Sequence, residues 1–323
     1  MQSKKNIPHR IFIIRSDRWG EFLLSLPAVK MVKENFPQST IYLLALKENI
    51  ELVKDVDFID RFIEYKEQEF KGFRGSVNLT KLLCKEKIDC LIALNPKKEF
   101  HLASFLAGVK FRVGYNRKWG FCLNYKIEDK KYLAEKHEIE YNIELASLIC
   151  VKKFIPQVKL KGASLEILKR KIPLNFNKRY IVFHPFSSDH RKMYPSALWA
   201  SLIDKINSLY KEEVIIIGGE QEKQLLTSAT SALKGLKYID LVGRLSLKEL
   251  ISFFKEMCKL LITTDSGPMH LASFLNIPTI ALFGPSNVKR WSPLSAKRII
   301  LKKQNLYEIT PQEIISCLVE LLK

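Results

Sequence analysis

The sequence predicts an α/β protein made of two doubly wound, Rossmann-like domains. Three observations carry that expectation. Strand-like apolar runs alternate with amphipathic helical segments along the whole chain, the pattern of βαβ units and parallel sheet. The chain has 323 residues, 47% of them hydrophobic, which is long for one domain and comfortable for two. The alternation also restarts after residues 152–178, where Pro156, Gly162 and Pro173 stand among lysines and the composition reads as a linker. The expected domains are therefore 1–165 and 166–323.

The elements follow in order. "RIFIIR" (10–15) is a buried strand, "SDRWGE" a loop and "FLLSLPAVKMVKENF" a helix. "TIYLLAL" (40–46), a segment near Phe58–Ile63 and "DCLIALN" (89–95) are strands, with a helix near Val77–Lys85 between the last two. A helix near Phe100–Leu106, the strand "FRVGY" and a long helix over Leu133–Val151 complete the first half. The second half opens on the strand of "RYIVFHPFSS" (179–188), then the helix "PSALWASLIDKINSLY", where Pro195 suits a first turn. "EVIIIGGEQEK", "YIDLVGRLS", "KLLITTD" and "PTIALFG" supply strands, and Leu247–Lys255 and Pro268–Leu275 supply helices. In "TPQEIISCLVELL", Thr310 and Glu313 have capping-box spacing. Two doubly wound domains facing each other leave a cleft at the carboxyl ends of their strands, where ligands of such sheets bind.

Composition narrows the class. No run of about 18 apolar residues suggests a membrane span. The apolar stretch of "MQSKKNIPHRIFIIR" is about four residues, too short for a secretory signal. A cytoplasmic protein is expected. Six scattered cysteines without a CxxC pair indicate neither a zinc site nor a redox dithiol, and read as reduced thiols in or near the core. No metal and no cofactor are expected. The 53 Lys+Arg against 34 Asp+Glu imply an anionic partner: nucleic acid, a membrane surface or a phosphorylated substrate. No aromatic-interleaved basic motif or helix-turn-helix signal supports nucleic acid.

Four loops are candidates for chemistry. In "LLITTDSGPMHLASFLNIPTIALFGPS" an apolar strand stops at Asp265, and Ser266, Gly267 and Pro268 begin a helix. A helix N-terminus offers free N–H groups to a phosphate. His270 falls in the first turn, and Asp265 could accept from sugar hydroxyls; the alternative is an N-cap aspartate and a satisfied, half-buried histidine. "HPFSSDHRKMYP" places Ser187, Ser188 and Lys192 after a strand, with the lysine as a point charge for phosphate or merely part of a solvated turn. "IIIGGEQEK" puts Glu220 just past a strand, where acids hold ribose hydroxyls, or where it complements a helix dipole. "RSDRWGEFLLSLPAV" offers Asp17 and Glu21 beside Arg15 and Arg18, as a general base or as helix N-terminal acids.

Taken together and in this order, these loops resemble the ADP-heptose:lipopolysaccharide heptosyltransferases, glycosyltransferase family 9. The resemblance spans nearly the whole chain. It is most specific in "TTDSGPMHLASFLNIPTIALFGPSN" followed by "RWSP", and extends through "RSDRWGEFLLSLPAVKMVKENFPQSTIYLL", "VKFRVGYNRK" and "HPFSSDHRKMYP". It implies a GT-B fold, with an N-terminal acceptor-binding domain and a C-terminal domain for the nucleotide sugar. It implies inverting, metal-independent transfer of heptose from ADP-heptose to the lipopolysaccharide inner core, at the cytosolic face of the inner membrane. By the same resemblance Ser187, Ser188 and Lys192 contact the diphosphate and Glu220 the ribose. Leu245 lies by the adenine, Asp265 meets the sugar hydroxyls, and the Ser266 and Gly267 amides with His270 bind phosphate.

Two positions depart from the family pattern. The family base is an aspartate directly after the glycine of the first loop, where this chain has Glu21; Asp17 is the alternative base. "HPFSS" lacks the small residue often found after the proline, so Phe186 is expected to narrow the loop. Glu21 favours, as a rival, a family member using another nucleotide sugar or acceptor; the basic surplus supports, from another class, a non-catalytic nucleotide- or nucleic-acid-binding protein. The charge surplus is expected to serve an acidic acceptor at an anionic membrane surface through Lys66, Lys71, Arg74, Lys97, Lys98, Arg117 and Lys118.

Overall fold

The computed structural model describes residues 7–210, 213–229 and 232–323. The first six residues of the basic N-terminal stretch lie outside them. The chain divides into two compact units, Met1–Lys159 and Leu160–Lys323, so the break falls inside the lysine-rich stretch.

The first unit has six strands: β1 (Arg10–Arg15), β2 (Thr40–Ala45), β3 (Arg61–Glu64), β4 (Cys90–Ala93), β5 (Phe111–Tyr115) and β6 (Tyr125–Ile127). They form one parallel sheet in the order β3-β2-β1-β4-β5-β6. The second unit repeats the plan with β7 (Tyr180–His184), β8 (Val214–Gly218), β9 (Tyr238–Val242), β10 (Cys258–Thr264), β11 (Thr279–Phe283) and β12 (Arg298–Lys302). Its order is β12-β11-β10-β7-β8-β9, also parallel. Both are the doubly wound order, with its topological switch between the first and fourth strands. The central strands read as unbroken apolar runs because helices cover both sheet faces; Ile11, Phe12, Ile13 and Ile14 are all buried.

Several expectations need correction. The helix expected over 22–36 is two helices, Trp19–Leu23 and Leu26–Asn35. Pro27 explains the break: its ring would strike the carbonyl of residue 23 in a continuous helix. The chain turns instead at Leu24 and Ser25, with the Ser25 hydroxyl donating to the Phe22 carbonyl at 2.6 Å. The helix expected over 133–151 spans only Glu138–Ala146. Ala134 is left-handed (φ 50°), and a capping box, in which the Glu140 carboxylate accepts from the His137 N–H at 2.9 Å, starts the helix anew.

The strand expected near 58–63 is shifted to β3, and the linker contains the helix Leu165–Lys171. β6, β12 and the helix Lys47–Val53 are further elements beyond those the sequence pattern predicts. Among the thiols, Cys84 is exposed; Cys90, Cys122, Cys258 and Cys317 are buried, and all six are free. The Thr310–Glu313 capping box forms as its spacing predicts. Among the described residues no helix is long and apolar enough to cross a membrane.

Candidate active site

In the second unit the switch lies between the adjacent strands β7 and β10, and the loops leaving their carboxyl ends hold most of the candidate residues. Lys192 ends the short turn His190–Lys192, whose Asp189 cap accepts from the Arg191 N–H at 3.1 Å. Its ammonium lies 2.9 Å from the Asp265 carboxylate. The pair joins residues 73 positions apart and ties one switch-point loop to the other. Asp265 is buried and Lys192 is partly exposed, so the accessible member is the cation.

Asp265 is not the N-cap of the following helix. That position belongs to Ser266, in extended backbone and without a side-chain cap bond, and the helix runs Gly267–Phe274 with Pro268 in its first turn. The Ser266 hydroxyl donates instead to the Thr264 carbonyl at 3.0 Å and lies 3.2 Å from His184 Nδ1. His184, at the end of β7, is also 3.3 Å from Thr263 Oγ1. Its burial pushes the imidazole down to about 3, so it is neutral at physiological pH and works as a hydrogen-bonding strut between the two strands. His270 is buried, with its ring 6.1 Å from Trp291.

Phe186 does not narrow the loop. Its ring is fully buried, edge-on to Trp199 at 5.3 Å and to His184 at 5.7 Å. The Thr264 hydroxyl donates to its carbonyl at 2.7 Å. Gly218 makes room for the ring, since a Cβ there would stand 3.0 Å from two of its carbons. The large residue after Pro185 is thus a core residue that anchors the loop from beneath.

Ser187 is half-buried and Ser188 exposed in the same loop; the Asp189 N–H donates to the Ser187 hydroxyl at 3.4 Å. Glu220 and Leu245 sit further along the carboxyl edge, after β8 and β9. Glu220 is exposed and paired with Lys223 at 2.7 Å. Gly243 lies against it with φ 68°, and a Cβ there would fall 2.6 Å from the Glu220 carboxylate. Leu245 is half-buried, one residue before the Ser246 cap of the helix Leu247–Met257. All the candidate residues of this unit therefore share the carboxyl edge of one sheet, with Lys192, Asp265 and Ser266 in direct or one-step contact.

In the first unit the corresponding switch is β1 beside β4. Asn95, just past β4, accepts from the Ser16 N–H at 3.1 Å and donates to the Ser16 hydroxyl at 3.0 Å, fastening the two loops. Arg15 is buried at the end of β1 and is 3.2 Å from Asp17 and 3.6 Å from Glu138. Glu138 is in turn 2.6 Å from Lys131. Asp17 therefore spends its carboxylate in an ion pair, and the Asn49 amide holds its carbonyl at 2.9 Å.

Glu21, in the first turn of the helix Trp19–Leu23, is different. Burial raises its proton affinity above the ordinary carboxylate value. The helix N–H and the charges of Arg15 and Arg18 oppose that rise, while Asp17 adds to it. Of the two acids, Asp17 is engaged in an ion pair, while Glu21 has its proton affinity raised by burial.

The same sheet edge carries a cavity of ≈ 550 Å³ lined by Tyr65, Lys71, Lys97, Lys98, Lys118 and Trp119, with Glu67 and Glu99. Lys97 donates to the Tyr65 hydroxyl at 2.9 Å and lies 4.4 Å from its ring centroid. Other basic residues singled out from the sequence are engaged on the surface: Lys66 with Glu69 at 3.3 Å, Lys71 with Glu67 at 2.8 Å, Arg117 with Asp129 at 2.6 Å. Arg74 is exposed. Among the described residues no three His, Cys, Asp or Glu side chains converge as metal ligands would. His184, Thr263, Asn95 and Glu138 belong to none of the sequence-predicted site residues. The first three stand at or just past strand ends, a position that was the available signal; Glu138 gave none.

Comparison with known proteins agrees with this architecture. The model of glycosyltransferase family 9 (heptosyltransferase) matches residues 76–317. A Haemophilus influenzae protein, named no further than glycosyltransferase, is 26% identical over 88% of this chain and 86% of its own length. Lipopolysaccharide heptosyltransferase 3 of Escherichia coli is 23% identical over 87% of this chain and 85% of its own. The structure of E. coli ADP-heptose lipopolysaccharide heptosyltransferase II superposes with a TM-score of 0.80, covering 97% of this chain and 98% of that one at 23% identity. At that identity the likeness shows the shared fold: GT-B, two Rossmann-like units in one chain.

Proposed function

The chain belongs to glycosyltransferase family 9, and on that premise we propose that it transfers a heptose from ADP-heptose to the inner core of lipopolysaccharide, with inversion and without a metal ion. The observation that carries the reading is the Lys192–Asp265 pair at 2.9 Å across the switch point of the second unit. It sets a cation and a carboxylate side by side at the N-terminus of the helix Gly267–Phe274, which supports the reading of Asp265 as an acceptor for sugar hydroxyls.

In this reading the diphosphate takes Lys192 from Asp265. The freed carboxylate accepts from heptose hydroxyls. Ser187, Ser188, the amides of Ser266 and Gly267, and His270 complete the phosphate site. Glu220 serves the ribose and Leu245 the adenine. Glycosyl transfer passes through an oxocarbenium-like state in which negative charge grows on the departing diphosphate. Preorganised donors aimed at that charge are often the largest single contribution to the rate. Lysine, histidine and helix amides would meet it in the role a divalent cation fills elsewhere.

The acceptor hydroxyl must lose a proton as it attacks. Glu21 is assigned as the base because its raised proton affinity suits it to receive one, whereas Asp17 is held by Arg15. Glu21 carries one methylene more than the family aspartate. That length shifts the carboxylate by about one C–C bond, and positioning on this scale governs such steps. Inner-core acceptors carry phosphates and acidic sugars, and the lysine-lined cavity of the first unit fits such groups. The enzyme would then work in the cytoplasm, against the cytosolic face of the inner membrane.

A donor screen with purified protein tests the reading. Turnover of ADP-heptose with a lipopolysaccharide core acceptor is expected, and it should persist in the presence of a chelator. Turnover of UDP- or GDP-sugars with ADP-heptose ignored would overturn it in favour of a family member with another sugar, the rival that Glu21 favours. Nucleotide binding without any transfer would favour the non-catalytic alternative.

A further inference from the structure

The first unit exposes aromatic residues that its own core does not use. Phe121 is 75% exposed, Phe105 and Leu106 53% each, and Trp119 46%. They are neighbours in space. The Trp119 and Phe121 rings stack at 6.1 Å. The Arg112 guanidinium lies 5.6 Å from the Phe105 ring, and its Nε donates to the Cys122 carbonyl at 2.7 Å.

The spur that carries Trp119 and Phe121 is built, not slack. Lys118 (φ 45°) and Trp119 (φ 69°) are consecutive left-handed residues, a costly conformation for bulky side chains that persists only when the surroundings enforce it. The enforcement is visible. Buried His101 holds the Lys118 carbonyl through Nδ1 at 3.0 Å, and the Lys126 ammonium donates to the Gly120 carbonyl at 3.3 Å. A Cβ on Gly120 would fall 2.7 Å from the Asn116 side-chain oxygen. These contacts hold Phe121 exposed and Trp119, which also lines the lysine-rich cavity, about half-exposed.

We propose that this face, the outer end of the helix Lys98–Leu106 together with the spur 118–122, docks onto an anionic lipid bilayer, with Phe105, Trp119 and Phe121 entering the interface. It rests on the reading of the acceptor as a membrane glycolipid. Charge selects this occupant over others. Residues 97–129 carry seven basic residues (Lys97, Lys98, Lys110, Arg112, Arg117, Lys118, Lys126) against three acids, Glu99, Glu128 and Asp129, the last of them paired with Arg117. A second copy bound through the same face would set like charge against like, whereas an anionic bilayer complements it. Tryptophan and phenylalanine flanked by lysine is the side-chain set of interfacial anchoring.

Co-sedimentation of the full chain with vesicles provides the test. Salt-sensitive binding to phosphatidylcholine–phosphatidylglycerol vesicles is expected, with little binding to phosphatidylcholine alone. The double variant Phe105→Ser/Phe121→Ser should lower partitioning about tenfold. Lys110→Glu should lower it about fivefold or more. Both should unfold at the wild-type midpoint, since these side chains are exposed. Wild-type-like vesicle binding by the double variant would overturn the proposal. So would loss of self-association in that variant with lipid binding unchanged, which would mark the face as a protein interface. Transfer to detergent-dispersed acceptor, measured separately, distinguishes failure of this surface from failure of the enzymatic reading.

Discussion

The two units share one strand order and opposite treatments of charge at their switch points. In the second, the cation is the reachable group: Lys192 is partly exposed and the acid that holds it, Asp265, is buried. In the first, the cation is locked away: Arg15 is buried between Asp17 and Glu138. The group left poised there is an acid, Glu21, whose proton affinity is raised by burial. The same topology therefore leaves a cation reachable in one unit and an acid of raised proton affinity in the other; in the proposed reading the first serves anions and the second takes the proton. What differs is which partner of each ion pair the packing buries.

The largest effect should come from removing the poised acid. Glu21→Gln should lower kcat about 10²–10⁴-fold, the usual range for a lost general base, with little change in donor KM; steady-state kinetics checks it. An unaltered kcat would transfer the role to Asp17 and erase the contrast between the units. Next, Lys192→Ala should lower kcat about 10²–10³-fold, as when one preorganised donor to a developing anion is lost, and should also raise donor KM. It leaves Asp265 buried without this partner, so the unfolding midpoint should fall as well.

A smaller effect concerns pH. In the proposed role Glu21 acts deprotonated, so its raised pKa should place the acid limb of kcat/KM above the ordinary carboxylate value, with activity lost as pH falls through it. Asp17→Asn removes a charge that raises that pKa and should move the limb to lower pH. Stability runs the other way. A folded-state pKa above the unfolded one means the folded protein binds the proton more tightly, so stability declines as pH rises through that window. At neutral pH Glu21→Gln should therefore unfold at a slightly higher temperature than the wild type, the pattern of a site kept at some expense to stability. The smallest effect is structural: Gly218→Ala should destabilise by about 1–3 kcal/mol through overpacking against Phe186, measurable by denaturant titration.

Much of the fold was legible because central strands of a doubly wound sheet are continuous apolar runs and their loops begin where the oil stops; Asp265 and Lys192 stood out for that reason. Breaks were harder. Pro27 carried the signal that ends the helix at Leu23, but the apolar pattern ran through it. β12 is a half-exposed edge strand, and β6 is three residues long, so neither has a periodicity to read. The roles inside the site were legible only as residue types. Asp17 is spent on Arg15 only two residues away, but the burial that raises the proton affinity of Glu21 is set elsewhere, as are the meetings of Arg15 with Glu138 and of Lys192 with Asp265. Those pairings come from the tertiary fold and leave no local mark in the chain.

Donor affinity in the two site variants is the most direct measurement of the division between the units. Titration of ADP-heptose should give much weaker binding to Lys192→Ala than to the wild type, and wild-type binding to Glu21→Gln, which nonetheless fails to transfer. Weakened binding in Glu21→Gln with Lys192→Ala unaffected would contradict the assignment of anion and proton to their respective sheets.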